Sequence, residues 1–133
     1  MLKLEIVTPE RRVVDAEVDS VTVPTASGEV GILPNHASLI SALKPGILEY
    51  NIRGVGTRLA VSVGFVEVNS NKVAVLADTA ESADEIDAQA ARSARDDAEK
   101  AIAAAGTPSA EDAERFREQL DAASARLQLA VGK

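Results

Sequence analysis

Apolar and polar residues alternate along much of the first 80 positions. At the N-terminus, Leu2, Leu4 and Ile6 are separated by Lys3 and Glu5. The same period recurs at Val21 and Val23, and again at Leu59, Val61 and Val63. A period of two places successive side chains on opposite faces of an extended chain. The pattern therefore predicts several half-buried β-strands.

Short clusters rich in Gly, Pro and Asn separate these segments. They are Pro9 to Arg11, Ser27-Gly28, Pro34-Asn35, Pro45-Gly46, Gly54 to Gly56 and Asn69 to Asn71. Such residues favour the backbone angles of turns. Many short strands at this spacing predict an antiparallel β-sandwich or barrel. The only aromatic residues are Tyr50, Phe65 and Phe116, so the core should be aliphatic.

From residue 81 onward the pattern becomes helical. Residues 82–105 contain no Gly or Pro, and Ser82 and Glu85 have the spacing of a capping box. A helix is therefore expected from Ser82 to Ala105. The segment 106–108, Gly-Thr-Pro, should end it, after which Thr107 or Ser109 caps a second helix that ends near Gly132. The prediction is an antiparallel two-helix hairpin.

Each predicted helix has one narrow apolar seam, made mostly of alanine. In the first helix it is Ile86, Ala90, Ala94, Ala98 and Ile102, and in the second Ala113, Phe116, Leu120, Ala123, Leu127 and Ala130. Alanine gains little from burial compared with Leu or Phe. The hairpin should therefore be weakly held, as a permanently docked pair of helices or as a mobile arm.

Composition divides the chain at the same place. Fourteen of the 15 Val lie in residues 1–80, and 16 of the 24 Ala lie in residues 81–133. The first part carries 7 basic and 9 acidic residues and the second 7 and 12, so the helical part is the more acidic. We expect a β-sandwich domain over 1–80 and a helical hairpin over 81–133.

Charge and residue content exclude several kinds of site. The net charge is −7 and the pI about 4.7, which disfavours nucleic acid and anionic lipid surfaces. There is no Cys and one His, so thiolate and multi-histidine metal sites are excluded. No apolar run is long enough to span or insert into a membrane, and the first residues lack a signal or transit-peptide pattern. The chain is expected to stay where it is made.

The segment from Thr25 to His36 is the densest candidate for function. Its glycines suggest a phosphate loop, but no Lys or amphipathic helix follows them. The alternatives are a tight strand connection or an exposed loop that presents Glu29 and His36 to a partner. His36 has no nucleophile near it in sequence except Ser38, so a hydrogen-bonded turn histidine is expected. The helical acidic residues alternate with Arg and Lys as on a solvated face, and no group argues for catalysis.

An ordered set of motifs resembles the epsilon subunit of bacterial F-type ATP synthases. The motifs are Val23-Pro24, the run from Gly28 to Ala37, Leu43 to Gly46, Gly64 to Val68, Val73 to Asp78, and Ile86-Asp87. The resemblance covers almost the whole chain. It implies a flattened ten-stranded sandwich followed by two antiparallel helices, in a noncatalytic rotor subunit of the central stalk that needs no cofactor.

The resemblance also implies partners and contact residues. The sandwich would bind the gamma subunit and sit on the c-ring, on the cytoplasmic face of a bacterial membrane or the stromal face of an organelle membrane. In the family, the c-ring faces the loop that corresponds here to Glu29, Val30, Gly31, Ile32, Leu33, Pro34 and His36. The joint would couple proton-driven ring rotation to the catalytic head.

In relatives the helices lie folded against the sandwich or extend along gamma into the alpha/beta catalytic head, where the extended form blocks ATP hydrolysis. Their basic contact region is acidic in this chain, which leaves Arg115, Arg117, Arg126 and Lys133 as candidate contacts. We expect modest regulation at most, and coupling that survives deletion of the residues after about 80. A free-standing adaptor remains an alternative on the residues alone.

Some relatives bind ATP between the two helices, which makes a nucleotide-sensing module the second interpretation. Glu81, Ile86, Asp87 and Arg126 match parts of that site. However, Ala90 stands where the motif has an arginine, and Asp97 and Ala122 stand at two more arginine positions. Each lost charge-assisted hydrogen bond to phosphate should cost more than about 1 kcal/mol, so ATP binding is expected to be weak or absent.

Overall fold

The computed structural model describes residues 1–132 as ten strands, a 3₁₀ turn and two helices. The strands are β1 (Leu2–Val7), β2 (Arg12–Val18), β3 (Ser20–Thr25), β4 (Gly28–Ile32), β5 (Leu39–Leu43), β6 (Gly46–Ile52), β7 (Val55–Val61), β8 (Gly64–Asn69), β9 (Lys72–Ala77) and β10 (Ala80–Glu81). The 3₁₀ turn spans Ala83–Glu85, and the helices are α1 (Ala88–Ala104) and α2 (Ala110–Val131). The sandwich and hairpin predicted from the sequence are confirmed.

The strands form one continuous hydrogen-bonded array in the order β10-β7-β6-β3-β5-β8-β9-β1-β2, and β4 pairs with β3. A single residue pair, Thr25 with Leu43, joins β3 to β5. This narrow junction divides the order into β10, β7, β6 and β3 before it and β5, β8, β9, β1 and β2 after it. The pairs are antiparallel except β1 with β9, which are parallel. The period of two in the sequence carries no information about strand direction.

The core of the sandwich is aliphatic, as the sequence predicts. Its buried residues all lie between positions 2 and 80 and are Val, Leu, Ile and Ala. Leu2, Leu4 and Ile6 are fully buried in β1, and Val21 and Val23 in β3. All the fully packed residues of this core therefore belong to the strands.

The strand β7 departs from simple alternation. Leu59, Ala60 and Val61 are consecutive buried residues, because Leu59 and Val61 face the sandwich core and Ala60 packs against the helices. Val63, predicted as part of this strand, lies beyond its end and is 37% exposed. The division expected between residues 80 and 81 falls inside β10, whose two residues pair with Val61 and Ala60.

The first helix begins later than the capping box predicts. The amide and hydroxyl of Ser82 both donate to Glu85 Oε1 at 3.0 Å, but this pair closes only the 3₁₀ turn. Asp87 caps α1 instead, its carboxylate accepting from the amides of Gln89 and Ala90 at 2.9 and 3.1 Å. Gly106, with φ +64°, follows the helix end, and the Ser109 hydroxyl caps α2.

The helices form a second, smaller core on the outside of the sandwich. It consists of Ala60, Ile86, Ala91, Ala125, Leu127, Leu129 and Ala130. The helix α2 contacts β6 and β7, whereas α1 packs mainly on α2. The seam predicted for α1 is wrong except at Ala98 and at Ile86, which precedes the helix. Ala91 is fully buried, whereas Ala90, Ala94 and Ile102 are exposed.

The seam predicted for α2 is correct at its C-terminal end. Ala123, Leu127 and Ala130 are buried, whereas Phe116 and Leu120 are half-buried and Ala113 is exposed. Ala125 and Leu129 are also buried, because this end of α2 touches both the sheet and α1.

Candidate functional site

The loop predicted to contact a partner is a hairpin arm built on β3. Its strand β4 pairs with β3 from Val21 with Ile32 to Thr25 with Gly28. The Thr25 hydroxyl donates to the Gly28 carbonyl at 2.7 Å and accepts from the Ser27 amide at 3.2 Å, which fixes the turn. Gly28 has φ +105°, a region that glycine adopts without strain. Strand pairing and the hydrogen bonds of Thr25 thus fix the conformation of this hairpin.

The predicted contact residues differ in their exposure to solvent. Glu29, Gly31, Leu33 and Pro34 are exposed, and Val30 and His36 are half-buried. Ile32, also predicted as a contact residue, is fully buried in the sandwich core, so its side chain does not reach the surface. Alternation explains the difference, since Ile32 points inward from the last position of β4.

The tip of the loop is tied to the neighbouring hairpin. The Asn35 amide donates to Asn71 Oδ1 at 2.6 Å, and the His36 amide donates to the Leu33 carbonyl at 3.1 Å. His36 Nδ1 lies 2.7 Å from the carbonyl oxygen of Ala37, as expected for a hydrogen-bonded turn histidine. Leu33 is 62% exposed on this anchored tip. The exposed Leu33 side chain and the Glu29 carboxylate thus lie on a segment that hydrogen bonds hold in place.

A second exposed surface, which sequence reasoning missed, lies on the outer face of β5, β8 and β9. Phe65 is 61% exposed and Leu76 56%, and the two are directly paired across β8 and β9. Ala42 pairs with Phe65 from the other side, and Ile40 is 74% exposed further along β5. We call these four residues the outer apolar face. The alternation in β8 could have predicted this exposure. Phe65 and Glu67 are two residues apart and so lie on the same face of the strand, whereas Val66 and Val68 point inward.

The outer apolar face borders a groove of about 760 Å³ between the sheet and α2. The helix side of the groove carries Glu114, Arg117, Glu118 and Asp121. The sheet side is therefore mostly apolar, although Lys44 and Asp78 also line it, and the helix side is charged. The groove therefore presents apolar and charged groups together to any partner bound there.

The residues matched to a nucleotide site lie at the junction of sandwich and helices, but they serve other contacts. Arg126 Nε lies 2.8 Å from Glu81 Oε1, and its Nη2 lies 3.4 Å from Glu81 Oε2. Ile86 is 6% exposed in the helix core, and the Asp87 carboxylate caps α1. Ala90 is exposed and offers no charge. Only Glu81 and Arg126 are thus brought together, and they neutralise each other.

A second polar contact holds the 3₁₀ turn to the sandwich. Arg11 Nη2, in the turn after β1, lies 2.6 Å from Glu85 Oε2. Hydrogen bonds from the backbone amide of Ser82 lower the pKa of Glu85 from its ordinary value, and the Ser82 hydroxyl and Arg11 lower it further. The carboxylate is therefore held in its charged form. Across residues 1–132, no group of acidic and histidine side chains is arranged to bind a metal ion.

The arginines predicted as regulatory contacts have different environments. Arg115 is exposed, pairs with Asp112 at 3.1 Å and lies over the ring of Phe116 at 5.6 Å. Arg117 lines the groove beside the outer apolar face, and Arg126 is engaged by Glu81. Lys133 lies outside the described residues. In this arrangement of the helices, Arg115 and Arg117 face solvent and Arg126 is not free for another partner.

Comparison with known proteins places these features in one family. The family profile of the ATP synthase delta/epsilon chain beta-sandwich domain matches residues 1–83. The ATP synthase epsilon chain of Herpetosiphon aurantiacus is 49% identical over 129 residues, covering 97% of this chain and 93% of the relative. That of Geotalea uraniireducens is 42% identical over 130 residues, covering 98% and 94%.

A solved structure has a similar fold over nearly the whole chain. A chain in the Euglena gracilis mitochondrial ATP synthase, in an assembly of OSCP, F1 and c-ring, superposes with a TM-score of 0.78 at 26% identity. The superposition covers 98% of the present chain and 81% of that one. No helix within residues 1–132 is long and apolar enough to cross a membrane.

Proposed function

The chain belongs to the ATP synthase epsilon chain family and is a noncatalytic subunit of the central stalk, and on this premise we propose that it couples rotation of the c-ring to the catalytic head through the gamma subunit. The sandwich supplies the joint, and the two helices supply a brake on hydrolysis. The subunit acts as a mechanical link and has no reaction of its own.

The observation that carries this proposal is the presence of two separate exposed surfaces on one rigid sandwich. The anchored loop ends in Leu33, next to the β8–β9 turn that holds Asn71. Phe65 and Leu76 lie at the other end of β8 and β9, next to the groove. A link between two rotor parts needs two such surfaces on a body that transmits torque. We assign the loop to the polar loops of the c-ring and the outer apolar face to gamma.

This assignment also gives the location of the subunit. Held by the c-ring through Glu29 and Leu33, the chain would lie at the membrane as a peripheral subunit, on the cytoplasmic face in a bacterium. Ring rotation would be driven by protons. The contact with the membrane would be through other subunits.

The gamma assignment is tested by placing a charge on the outer apolar face. Phe65→Glu should weaken binding to the cognate catalytic head and gamma subunit about tenfold or more, because a carboxylate must then be buried against an apolar partner. Val55→Glu is the matched control, since Val55 is 67% exposed at the distant β6–β7 turn. Equal affinities of the two variants, measured by surface plasmon resonance, would contradict the assignment.

The helical pair is proposed as a weak brake that acts when it leaves the sandwich and extends into the catalytic head. Arg115 and Arg117 are the contacts available to it before it moves, and Arg126 joins them once its bond with Glu81 opens. The acidic residues around them limit electrostatic capture by an acidic segment of the head. The brake is therefore proposed to be modest.

Nucleotide sensing, the alternative function, has less support from the junction. An ATP molecule would need cations, and the two arginines at the junction are each paired with a carboxylate, Arg126 with Glu81 at 2.8 Å and Arg11 with Glu85 at 2.6 Å. We expect no heat of binding when the chain is titrated with ATP and Mg²⁺ at micromolar concentrations. A micromolar dissociation constant would revive the alternative.

A further inference from the structure

Two ion pairs join the helical part of the chain to the sandwich. Arg126 of α2 binds Glu81 of β10, and Arg11 of the β1–β2 turn binds Glu85 of the 3₁₀ turn. Both pairs line one polar cavity of about 450 Å³ at the junction. Its other charged residues are Glu10 and Asp78.

The two pairs differ in their protection from water. The side chains of Arg126 and Glu81 are only 31% and 26% exposed. Nε of Arg126 donates to one carboxylate oxygen of Glu81 and Nη2 donates to the other. The side chains of Arg11 and Glu85 are 51% and 42% exposed. A shielded, two-point Arg–carboxylate contact is stronger than an exposed one. The Arg126–Glu81 pair should therefore dominate.

The apolar contact beneath this pair is small. Of the seven buried residues of the helix core, four are alanines. Alanine contributes much less burial free energy than Leu or Ile. A partly shielded ion pair therefore adds to a modest apolar contact in holding α2 on the sheet.

The two pairs also differ in what they join. Arg126–Glu81 connects the far helix directly to a strand, across 45 residues of sequence, so it must break whenever α2 leaves the sandwich. Arg11–Glu85 connects only the 3₁₀ turn to the sandwich and is compatible with either position of the helices. The segment that links this turn to α1 is Ile86-Asp87.

From this geometry we infer that the Arg126–Glu81 pair is the latch of the helical arm, and that Arg11–Glu85 holds the pivot about which the unlatched arm turns. The inference goes beyond the proposed function, because it concerns how the isolated chain distributes between docked and detached arms. A failure of the latch would leave the assignment to the central stalk untouched.

The test measures arm position in the isolated full-length chain. The protein has no cysteine, so spin labels attached at Ser38→Cys and Thr107→Cys report one sandwich-to-arm distance by pulsed electron paramagnetic resonance. Arg126→Glu should raise the ratio of detached to docked arms about fivefold or more, since an attraction becomes a repulsion. The double swap, Glu81→Arg with Arg126→Glu, should return the ratio toward that of the unmodified chain.

Two variants separate the latch from general charge effects. Arg115→Glu makes the same charge change on α2 but alters contacts within the helix, the pair with Asp112 and the contact with the Phe116 ring. Arg11→Glu removes the pivot contact. Both should leave the ratio within about twofold of the unmodified chain. Arg126→Gln, which introduces no repulsion, should give a smaller rise than Arg126→Glu.

Three results would overturn the inference. The first is a ratio for Arg126→Glu equal to that for Arg115→Glu. The second is failure of the double swap to restore docking while circular dichroism shows both variants folded. The third is detachment by Arg11→Glu as large as that caused by Arg126→Glu.

Discussion

At the scale of single residues, Gly64 sets the distance between the first residue of β8 and the end of β9. A Cβ added to it would lie 1.8 Å from the carbonyl oxygen of Leu76, which is backbone and cannot turn aside. Gly31, at the exposed hairpin β3–β4, has no atom within 4 Å of such a Cβ. Gly64 is therefore required by the close approach of the β9 backbone, whereas Gly31 has room for a side chain, although both lie in strands.

Gly64→Ala should consequently destabilise the sandwich, whereas Gly31→Ala should not. Overpacking against rigid backbone costs about 3 kcal/mol, which in a chain of this size lowers Tm by about 10 °C. Thermal unfolding followed by circular dichroism gives the comparison. Equal Tm values for the two variants would show that the strands adjust freely at this point.

Glu85 gives a pH dependence whose sign follows from its environment. Its pKa is lowered in the folded chain by hydrogen bonds from Ser82, so its contribution to stability is full above its ordinary value of 4.5. That contribution disappears as the pH falls through the lower folded value. The Glu85→Gln variant should therefore have a lower Tm than the unmodified chain at pH 7, with the difference shrinking below about pH 4.5.

Glu67→Gln, on the outer face of β8, is the matched control, because it makes the same carboxylate-to-amide change away from Ser82 and Arg11. Melting curves between pH 3 and pH 7 provide the measurement. If the Tm deficit of Glu85→Gln persisted unchanged to pH 3, the stabilisation would come from packing of the side chain and not from its charge.

Residue patterns identified the loop but not every role within it. Glycine, proline and polar positions from Thr25 to His36 predicted a strand connection or an exposed loop, and the structure forms strand β4 over Gly28–Ile32 within that segment. Ile32 was assigned to the contact because a motif carries no information about which side chains point inward. Phe65 was overlooked for the opposite reason, since an exposed aromatic residue looks in sequence like a core residue.

At the scale of elements, α2 holds the arm on the sandwich through its C-terminal half. Leu129 is 3% exposed there, in contact with the core formed by Ala60 and Ile86. Leu129→Ala should destabilise helix docking by about 2 kcal/mol, through lost burial and the cavity left behind. Ile102→Ala, at a site that is 40% exposed on α1, should have little effect.

The measurement is the midpoint of the helical circular dichroism signal on heating. The account requires a clear drop for Leu129→Ala and a shift near zero for Ile102→Ala. A similar loss in both variants would mean that α1 packs on the sandwich as strongly as α2 does.

The ends of the helices were predictable where the sequence offered one capping residue and not two. Gly106 and Ser109 end one helix and start the next, as their residue types indicate. Ser82 and Glu85 form their expected hydrogen bonds, yet the helix starts at Ala88 because Asp87 offers a second, better-placed cap. The α1 seam was wrong because an alanine-rich helix has several nearly equivalent apolar stripes, and tertiary packing selected the one through Ala91 and Ala98.

At the scale of the whole molecule, the chain is a self-contained sandwich with an attached arm. The buried residues of the sandwich core lie between positions 2 and 80. The helix core includes one buried residue of the strands, Ala60. The composition changes at about the same place, because Val and Ala separate along the sequence. It placed the boundary inside β10, since a two-residue strand leaves almost no compositional trace.

This architecture predicts that the joint and the arm are separable. A chain ending at Ala83 keeps β10 and the complete sandwich core, and also both proposed docking surfaces. It lacks Arg115, Arg117 and Arg126. It should therefore assemble and couple, but should not slow ATP hydrolysis.

The most direct test reconstitutes the cognate ATP synthase in vesicles without this subunit, with the full chain, or with residues 1–83, and measures proton-driven ATP synthesis. The account predicts that both forms bind and restore synthesis, and that only the full chain lowers hydrolysis by the catalytic head and gamma, by about twofold, a modest effect of less than 1 kcal/mol. If residues 1–83 bind but synthesis stays at the level without the subunit, the sandwich is not the coupling element and the central claim is wrong.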